Sequence, residues 1–309
     1  MSRIRIGTAS WTDPTLVKES SWYPKRSMSA EQRLRYYASI FPLVEVDATY
    51  YFPPTEDLAG LWTRRTSEDF RFAVKAYALL TGHGAKTRSL WPDVAADLRD
   101  PDKDTAYLSH LPPEAVDRAF AHFHKALAPL YSAGKLGAVA FQFPPWFTPR
   151  RENRDYIASL PDRLPDYPIS VEFRNAAWLD DDTRDRTLRL LSSHGISYVC
   201  VDEPQGFPSS VPPLDAVTAP LAVLRLHGRN AETWEAKGLT PAERFRYRYD
   251  QEELRELAGR ARHLAEQADE VHVLFNNCYR DYGVRNAREL GALLGTGLQP
   301  DAPPDPPED

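Results

Sequence analysis

The stretch ISVEFRNAAW, residues 169–178, decides how the chain folds. Ile169, Val171 and Phe173 alternate with Ser170, Glu172 and Arg174. Alternation at period two marks a half-buried strand. One parity suits a core, while the other ends in a carboxylate and a guanidinium. A barrel strand accepts both, because one parity faces the helices and the other faces the lumen.

Seven more runs of the same kind flank this one, here taken as Pro168–Arg174. They are Ile4–Ser10, Leu43–Tyr50, Arg71–Tyr77, Leu136–Pro144, Ile196–Asp202, Leu221–Gly228 and Glu270–Asn277. Helical patterns lie between most of them. Ser29 with Gln32 has capping-box spacing and opens a stripe of Leu34, Tyr37, Ala38 and Phe41. A longer stripe carries Val116, Phe120, Phe123, Leu127 and Leu130 and stops at Gly134. Another helix runs from near Asp181 to Gly195. Asp250 with Glu253 opens a helix that buries Leu254, Leu257, Ala261 and Leu264, and a last helix covers 286–294.

Eight strands alternating with helices predict an α/β fold, a (β/α)8 TIM barrel forming one domain over residues 1–297. An open doubly wound sheet is the rival. "GTAS" (7–10) after the first strand is not a glycine-rich dinucleotide loop, and no Walker loop occurs, so no nucleotide cofactor is expected. The connection 78–112 is long and polar and reads as a lid-like insertion. The acidic, proline-rich tail LQPDAPPDPPED (298–309) is expected to be disordered.

The bulk numbers narrow the function classes. With 42% hydrophobic residues among 309, the chain can bury a large core. A formal charge of −6 gives no global field toward nucleic acid or anionic lipid. Two cysteines, Cys200 and Cys278, make no disulfide framework, so a reducing, cytoplasmic setting is expected. No run is long enough to span a membrane.

Applied to every strand, the parity test separates walls from lumen. Ile4 and Ile6 face out and leave Arg5, Gly7 and Ala9. Val44 and Val46 leave Glu45, Asp47 and Thr49. Phe72 and Val74 leave Ala73 and Lys75, and Val139, Phe141 and Phe143 leave Ala138, Ala140 and Gln142. Val171 and Phe173 leave Ser170, Glu172 and Arg174. Val199 and Val201 leave Tyr198, Cys200 and Asp202. Leu224 and Leu226 leave Arg225 and His227, and the last strand leaves His272, Leu274 and Asn276, with Asn277 beside it. The inward set near the C-terminal ends holds Glu45, Asp47, Glu172 and Asp202 against Lys75, Arg174 and Arg225. A self-satisfied polar core is one explanation. Val, Ile and Leu would fill a barrel more simply, and strand C-terminal ends are where barrel sites sit.

The set points to acid–base chemistry. Glu172 is the candidate base or acid, with a pKa raised by burial and lowered by Arg174 or Lys75. Lys75 and Arg225 suit a carboxylate, a phosphate or a developing oxyanion. His227 suits proton transfer, and Asp202 assists it. Glu172, Asp202 and His227 come from three successive strands, so one divalent ion among them is an open alternative. Tyr50, Gln142, Trp178, Asn276 and Asn277 complete the candidate binding set. His122 and His124 in "HFH" are two residues apart on a helix and read as surface. No G-x-S-x-G elbow occurs and Cys278 has no evident base, which argues against covalent Ser or Cys chemistry.

Aromatic residues crowd the loops after the strands: Trp11, Trp22, Tyr23, Tyr50, Tyr51, Phe52, Trp146, Phe147, Trp178 and Trp234. Some pack loops, and rings at a barrel mouth also suit sugars or bases. "RFRYRY" (244–249) interleaves arginine with aromatic residues, the local pattern of a nucleic-acid patch. The reading preferred here is a helix approach with its tyrosines packed inward.

Several motifs in order carry a family resemblance: IGTASW (6–11), VEVDATYYFPP (44–54), FAVKA (72–76), VAFQFPP (139–145), SVEFRNAAW (170–178), LRLHGRN (224–230), YRYDQEEL (247–254) and LFNNCYRDYGVRNA (274–287). The chain resembles the YecE-like proteins, domain-of-unknown-function family seventy-two, over nearly its whole length. The resemblance implies a barrel of the xylose-isomerase-like group. It also points to Glu45, Lys75, Gln142, Glu172, Arg174, His227, Asn276 and Asn277. Family members often carry Asn at the position of Asp47, and His83 lies at a spacing that departs from the family pattern. The resemblance implies no particular reaction. Likeness to barrel-shaped apurinic endonucleases raises a nucleic-acid alternative, but those enzymes use several histidine and carboxylate ligands and this set has one clear histidine. The expected activity is therefore acid–base chemistry on a small polar ligand, anionic or sugar-like. Nucleic-acid processing or binding and a non-catalytic ligand-binding barrel are the alternatives.

Overall fold

The computed structural model describes residues 3–300. Ten strands occur among them: β1 Arg3–Ala9, β2 Leu43–Val46, β3 Arg71–Lys75, β4 Ala85–Lys86, β5 Thr105–Ala106, β6 Leu136–Gln142, β7 Ile169–Glu172, β8 Ser197–Asp202, β9 Leu221–Leu226 and β10 Glu270–Phe275. Eight of them close a barrel in the order β1-β10-β9-β8-β7-β6-β3-β2, each pair parallel. Closure removes every sheet edge, and the crossover helices cover the outward parity. The chain is thus a (β/α)8 barrel.

The capping signals act where they were read. Ser29 and Gln32 close a reciprocal box on helix Ala30–Ala38, and Asp250 and Glu253 do so on Gln251–Ala265. Helix Pro113–Ser132 buries Phe120, Phe123, Leu127 and Leu130, and Gly134 follows it at φ +66°. The last helix, Tyr282–Leu294, starts four residues earlier than its apolar stripe, with Val284 buried in its first turn.

The lumen is filled from the bottom. Arg5 and His272 are both 1% exposed and both bond Glu270 Oε1, at 2.9 and 2.6 Å. Burial still leaves Glu270 at about 2, because His272 and Arg5 outweigh the desolvation. Gly137 has to be glycine here, since a Cβ would stand 2.7 Å from His272 Cε1. The floor is therefore a structural polar layer, distant from the C-terminal ends.

One strand reverses the parity reading. Val199 of β8 lines the lumen with Val223 of β9, its register partner. Tyr198, Cys200 and Asp202 therefore face the outer layer. The apolar residues of β8 point inward because this part of the lumen is filled by aliphatic side chains. Its polar residues point outward toward partners: Cys200 Sγ reaches Ala216 O, and Asp202 meets Arg260.

The insertion 78–112 is packed down. It carries the β4–β5 antiparallel pair and short helical turns, and Leu79, Leu80, Val94 and Leu98 are buried in it. Leu298, inside the expected tail, is 8% exposed and lies against Gly291, while residues 301–309 of that tail lie outside the described residues. No helix among the described residues is long and apolar enough to cross a membrane.

Candidate functional site

Six of the eight barrel strands deliver inward residues to one layer at their C-terminal ends. Glu45 ends the inward parity of β2, Lys75 that of β3, Gln142 that of β6 and Glu172 that of β7. Arg225 follows on β9, with His227 just past its end, and Asn276 lies just past the end of β10. Arg225 sits at the centre. Its Nε and Nη2 bond Glu45 Oε2 and Oε1 at 2.9 and 2.5 Å, a two-pronged pairing, while Nη1 reaches Glu172 Oε2 at 3.2 Å. The planar guanidinium makes this fork possible, and a lysine has no equivalent geometry.

Glu172 collects the most partners. Its Oε1 accepts from Gln142 Nε2 at 2.6 Å and meets His227 Nε2 at 3.0 Å and Arg174 Nη1 at 3.4 Å. Asn276 Nδ2 donates to His227 Nδ1 at 3.0 Å, which leaves the imidazole proton on Nε2, facing the carboxylate. Burial alone would raise Glu172. Arg225, His227 and Arg174 outweigh it and hold the carboxyl well below the usual range. Burial pushes His227 down to about 4 against the pull of Glu172, with Arg225 and Arg174 adding to the fall. Burial and Asp47 raise Glu45, with Arg225 opposing. At neutral pH the pair is an ionised Glu172 and a neutral His227.

Above this layer the barrel opens into a mouth of about 380 Å³, lined by Asp47, Lys75, Gln142, Arg225, Asn276, Tyr51 and Phe245 among others. Glu172 lies one layer down, in a cavity of about 10 Å³ that shares Lys75, Gln142 and Arg225 with the mouth. Lys75 Nζ stands 3.4 Å from Asp47 Oδ1 and 5.3 Å from the centre of the Tyr50 ring. His83 packs edge-on against Tyr50 and Trp146, at 5.3 and 5.7 Å between ring centres. The insertion thus contributes a histidine to the rim. Burial pushes it down to about 4, helped by Lys75 and Arg174.

Three predicted residues stand elsewhere. Asp202 leaves the lumen with the reversed parity of β8. It bonds Arg229 Nη2 at 2.7 Å and Tyr249 Oη at 2.8 Å, and Arg260 Nη1 stands at 3.4 Å. Asn277 has left the strand and donates to Tyr247 O and Asn286 Oδ1, both behind the barrel wall. Trp178 is fully buried. Its Nε1 donates to Phe147 O at 2.6 Å and its ring stacks on Phe173 at 4.4 Å, so it anchors loops. With Asp202 gone, the three-strand metal set does not assemble. Among the described residues no group of three or more His, Cys, Asp or Glu side chains is placed to hold a metal ion.

The parity reading also missed residues. Glu203 continues the inward set Ser197, Val199, Val201, and its Oε2 lies 3.3 Å from Arg174 Nη1. Its Oε1 accepts from Val211 N at 2.8 Å. Trp234 covers the Arg174 guanidinium at 4.3 Å, and Phe245 lies 5.6 Å from the His227 ring. The correct phase of β8 is the signal that finds Glu203. In "RFRYRY", Arg244 holds the carbonyls of Trp234 and Ala236, Arg248 pairs with Glu289, and Tyr249 is 2% exposed. The segment braces the mouth and packs its tyrosine inward. Of the mouth aromatics, Trp11 packs on Trp62, and Trp22 packs on Tyr36 and Phe41, whereas Tyr51, Phe52 and Trp146 stay exposed.

Known proteins share this architecture. UPF0759 protein YunF from Bacillus subtilis (strain 168) is 32% identical over 304 residues, covering 96% of this chain and 98% of YunF. The crystal structure of the DUF72 family protein EF0366 from Enterococcus faecalis V583 matches at TM-score 0.74 and 27% identity over 96% of this chain and 98% of that one. The DUF72 family protein TM1631 from Thermotoga maritima MSB8 matches at TM-score 0.74 and 28% identity, over 95% and 99%. The family description "Protein of unknown function DUF72" fits residues 5–308, and the chain belongs to that family.

Proposed function

We propose that this barrel is an enzyme that acts by acid–base chemistry on a small polar molecule seated in the C-terminal mouth. The observation that supports it is the Glu172–His227 pair at 3.0 Å, buried directly beneath an opening of ligand size. A buried carboxylate with four cationic or donor neighbours is a costly way to fill a barrel and a direct way to keep a proton acceptor ionised. Glu172 takes and returns the proton, and His227, neutral and oriented by Asn276, exchanges it through Nε2. Lys75 and Arg225 line both the mouth and the cavity below, so they carry the negative charge that develops on a ligand as its proton leaves.

The test is untargeted. A defined mixture of cellular small molecules is incubated with wild type and with Glu172→Gln, and mass spectrometry follows each species. One species should be consumed by wild type only, while circular dichroism shows both proteins folded. Equal turnover by the variant would contradict the role of Glu172. Ligand-induced stabilisation of wild type with no product would favour a non-catalytic binding barrel.

A further inference from the structure

The charges at the mouth cancel among themselves. Arg225 is committed to Glu45 and Glu172, Arg174 to Glu172 and Glu203, and Lys75 to Asp47. Three cations therefore face the carboxylates of Glu45, Asp47 and Glu172, with Glu203 partly protonated at neutral pH because burial raises it to about 7. An anionic ligand would have to displace a carboxylate already paired, leaving buried charge uncompensated. A cationic ligand would meet Lys75 and Arg225, both of which line the opening.

What the mouth holds beyond these pairs is unspent hydrogen-bonding capacity of both kinds, with Lys75 Nζ making no hydrogen bond of its own among the described residues. Gln142 spends Nε2 on Glu172, and Asn276 spends Nδ2 on His227, so each amide oxygen keeps its capacity. Asp47 Oδ1 is buried with no hydrogen-bond partner, Lys75 Nζ standing off at 3.4 Å. Asp13 also lines the opening, its charge offset by the helix N-terminus that it caps through Oδ1. A polar, charge-balanced surface is complementary to hydroxyl groups, which donate and accept without carrying charge. One wall supplies an apolar face. Tyr51 lines the mouth with 57% of its surface exposed, and Phe245 lines it too. The carbon-bound hydrogens of a sugar ring pack well on such rings.

We infer that the ligand of this mouth is a neutral polyhydroxylated molecule of the sugar class, with hydroxyls donating to Asp47, Gln142 and Asn276 and a ring face lying on Tyr51. The inference rests on the proposed function, in that it takes the mouth as the substrate seat. It goes further by separating neutral sugars from anionic ones and by naming Tyr51 and Asp47 as specificity residues.

Saturation-transfer NMR and calorimetry on the full chain would test it. The probes are neutral pentoses, hexoses and polyols, set against the same sugars as phosphates and uronates, at low and high salt. At least one neutral probe should bind, with an affinity that changes by less than about twofold with salt. Tyr51→Ala and Asp47→Asn should each weaken it about tenfold. Binding of the charged probes alone, falling with salt, would overturn the neutral class and leave the small-molecule enzyme reading intact. Binding of a neutral probe that neither variant weakens would overturn the assignment to this mouth. Failure of both probe classes to bind would count against both readings together.

Discussion

Glu203 Oε2 stands 3.3 Å from Arg174 Nη1, and Arg174 in turn reaches Glu172 Oε1 at 3.4 Å. One guanidinium thus bridges two buried carboxylates of opposite character. Three positive or donor neighbours hold Glu172 low. Burial raises Glu203 to about 7, with Arg174 and the Val211 amide opposing. Two carboxyl groups pushed apart in this way are the usual arrangement of a site that both takes and gives protons.

The Glu203 carboxyl gives a signed prediction. Between about pH 4.5 and 7 the folded chain keeps a proton that the unfolded chain has lost. Stability associated with Glu203 is therefore present below that window and falls as pH rises through it. Glu203→Gln cannot ionise, so it should gain on wild type by about 3 kcal/mol across the window, whatever its offset at the acid end. Urea unfolding of both proteins at either end of the window measures this. A difference independent of pH would contradict it.

Arg225 satisfies two buried carboxylates at once. Arg225→Ala should lower unfolding stability by about 3–5 kcal/mol, because Glu45 and Glu172 are left without their counter-charge. Arg225→Lys keeps a charge but cannot fork, so it should fall between wild type and the alanine variant. A loss below about 1 kcal/mol for Arg225→Ala, the size typical of exposed pairs, would show that the pairing is loose.

His227 should stay neutral across the physiological range, because burial pushes it down to about 4. Nitrogen NMR of the imidazole at about pH 6.5, the ordinary histidine midpoint, should show one protonated nitrogen, Nε2, with Nδ1 accepting from Asn276. A doubly protonated ring at that pH would remove the neutral pair.

Asp202 and Glu172 should part company on mutation. Asp202→Asn removes the shared partner of Arg229 and Arg260, so it should lower the melting temperature while leaving ligand affinity at the mouth unchanged. Calorimetry on the two variants side by side checks it. Loss of ligand binding at the mouth in Asp202→Asn would return Asp202 to the site.

Most of the barrel was legible because seven strands obey the simple alternation, aliphatic toward the helices and polar toward the mouth. Lys75, Gln142, Glu172, Arg225, His227 and Asn276 converge as that rule requires. On β8 the rule failed for a physical reason. Its outward residues Cys200 and Asp202 find polar partners in the outer layer, and its inward Val199 meets Val223 in an aliphatic part of the lumen. Alternation reveals two faces and not which one is wet, so Asp202 entered the set in place of Glu203. Trp178 failed differently. It follows the right strand, yet its stacking on Phe173 is a tertiary contact with no signature in local spacing. The rim histidine, His83, depends on how 78–112 folds back, and the β4–β5 pairing that fixes that path spans too many residues to be read from the chain.

The central claim is that the Glu172–His227 pair moves a proton on a molecule held in the mouth. The most direct measurement is solvent deuterium incorporation into a bound ligand, followed by mass spectrometry in heavy water with wild type and Glu172→Gln. Wild type should place deuterium on a carbon or exchange-inert position of the ligand, and Glu172→Gln should bind the ligand without doing so. Equal incorporation by both proteins, or none by wild type while the ligand is turned over, would contradict the account.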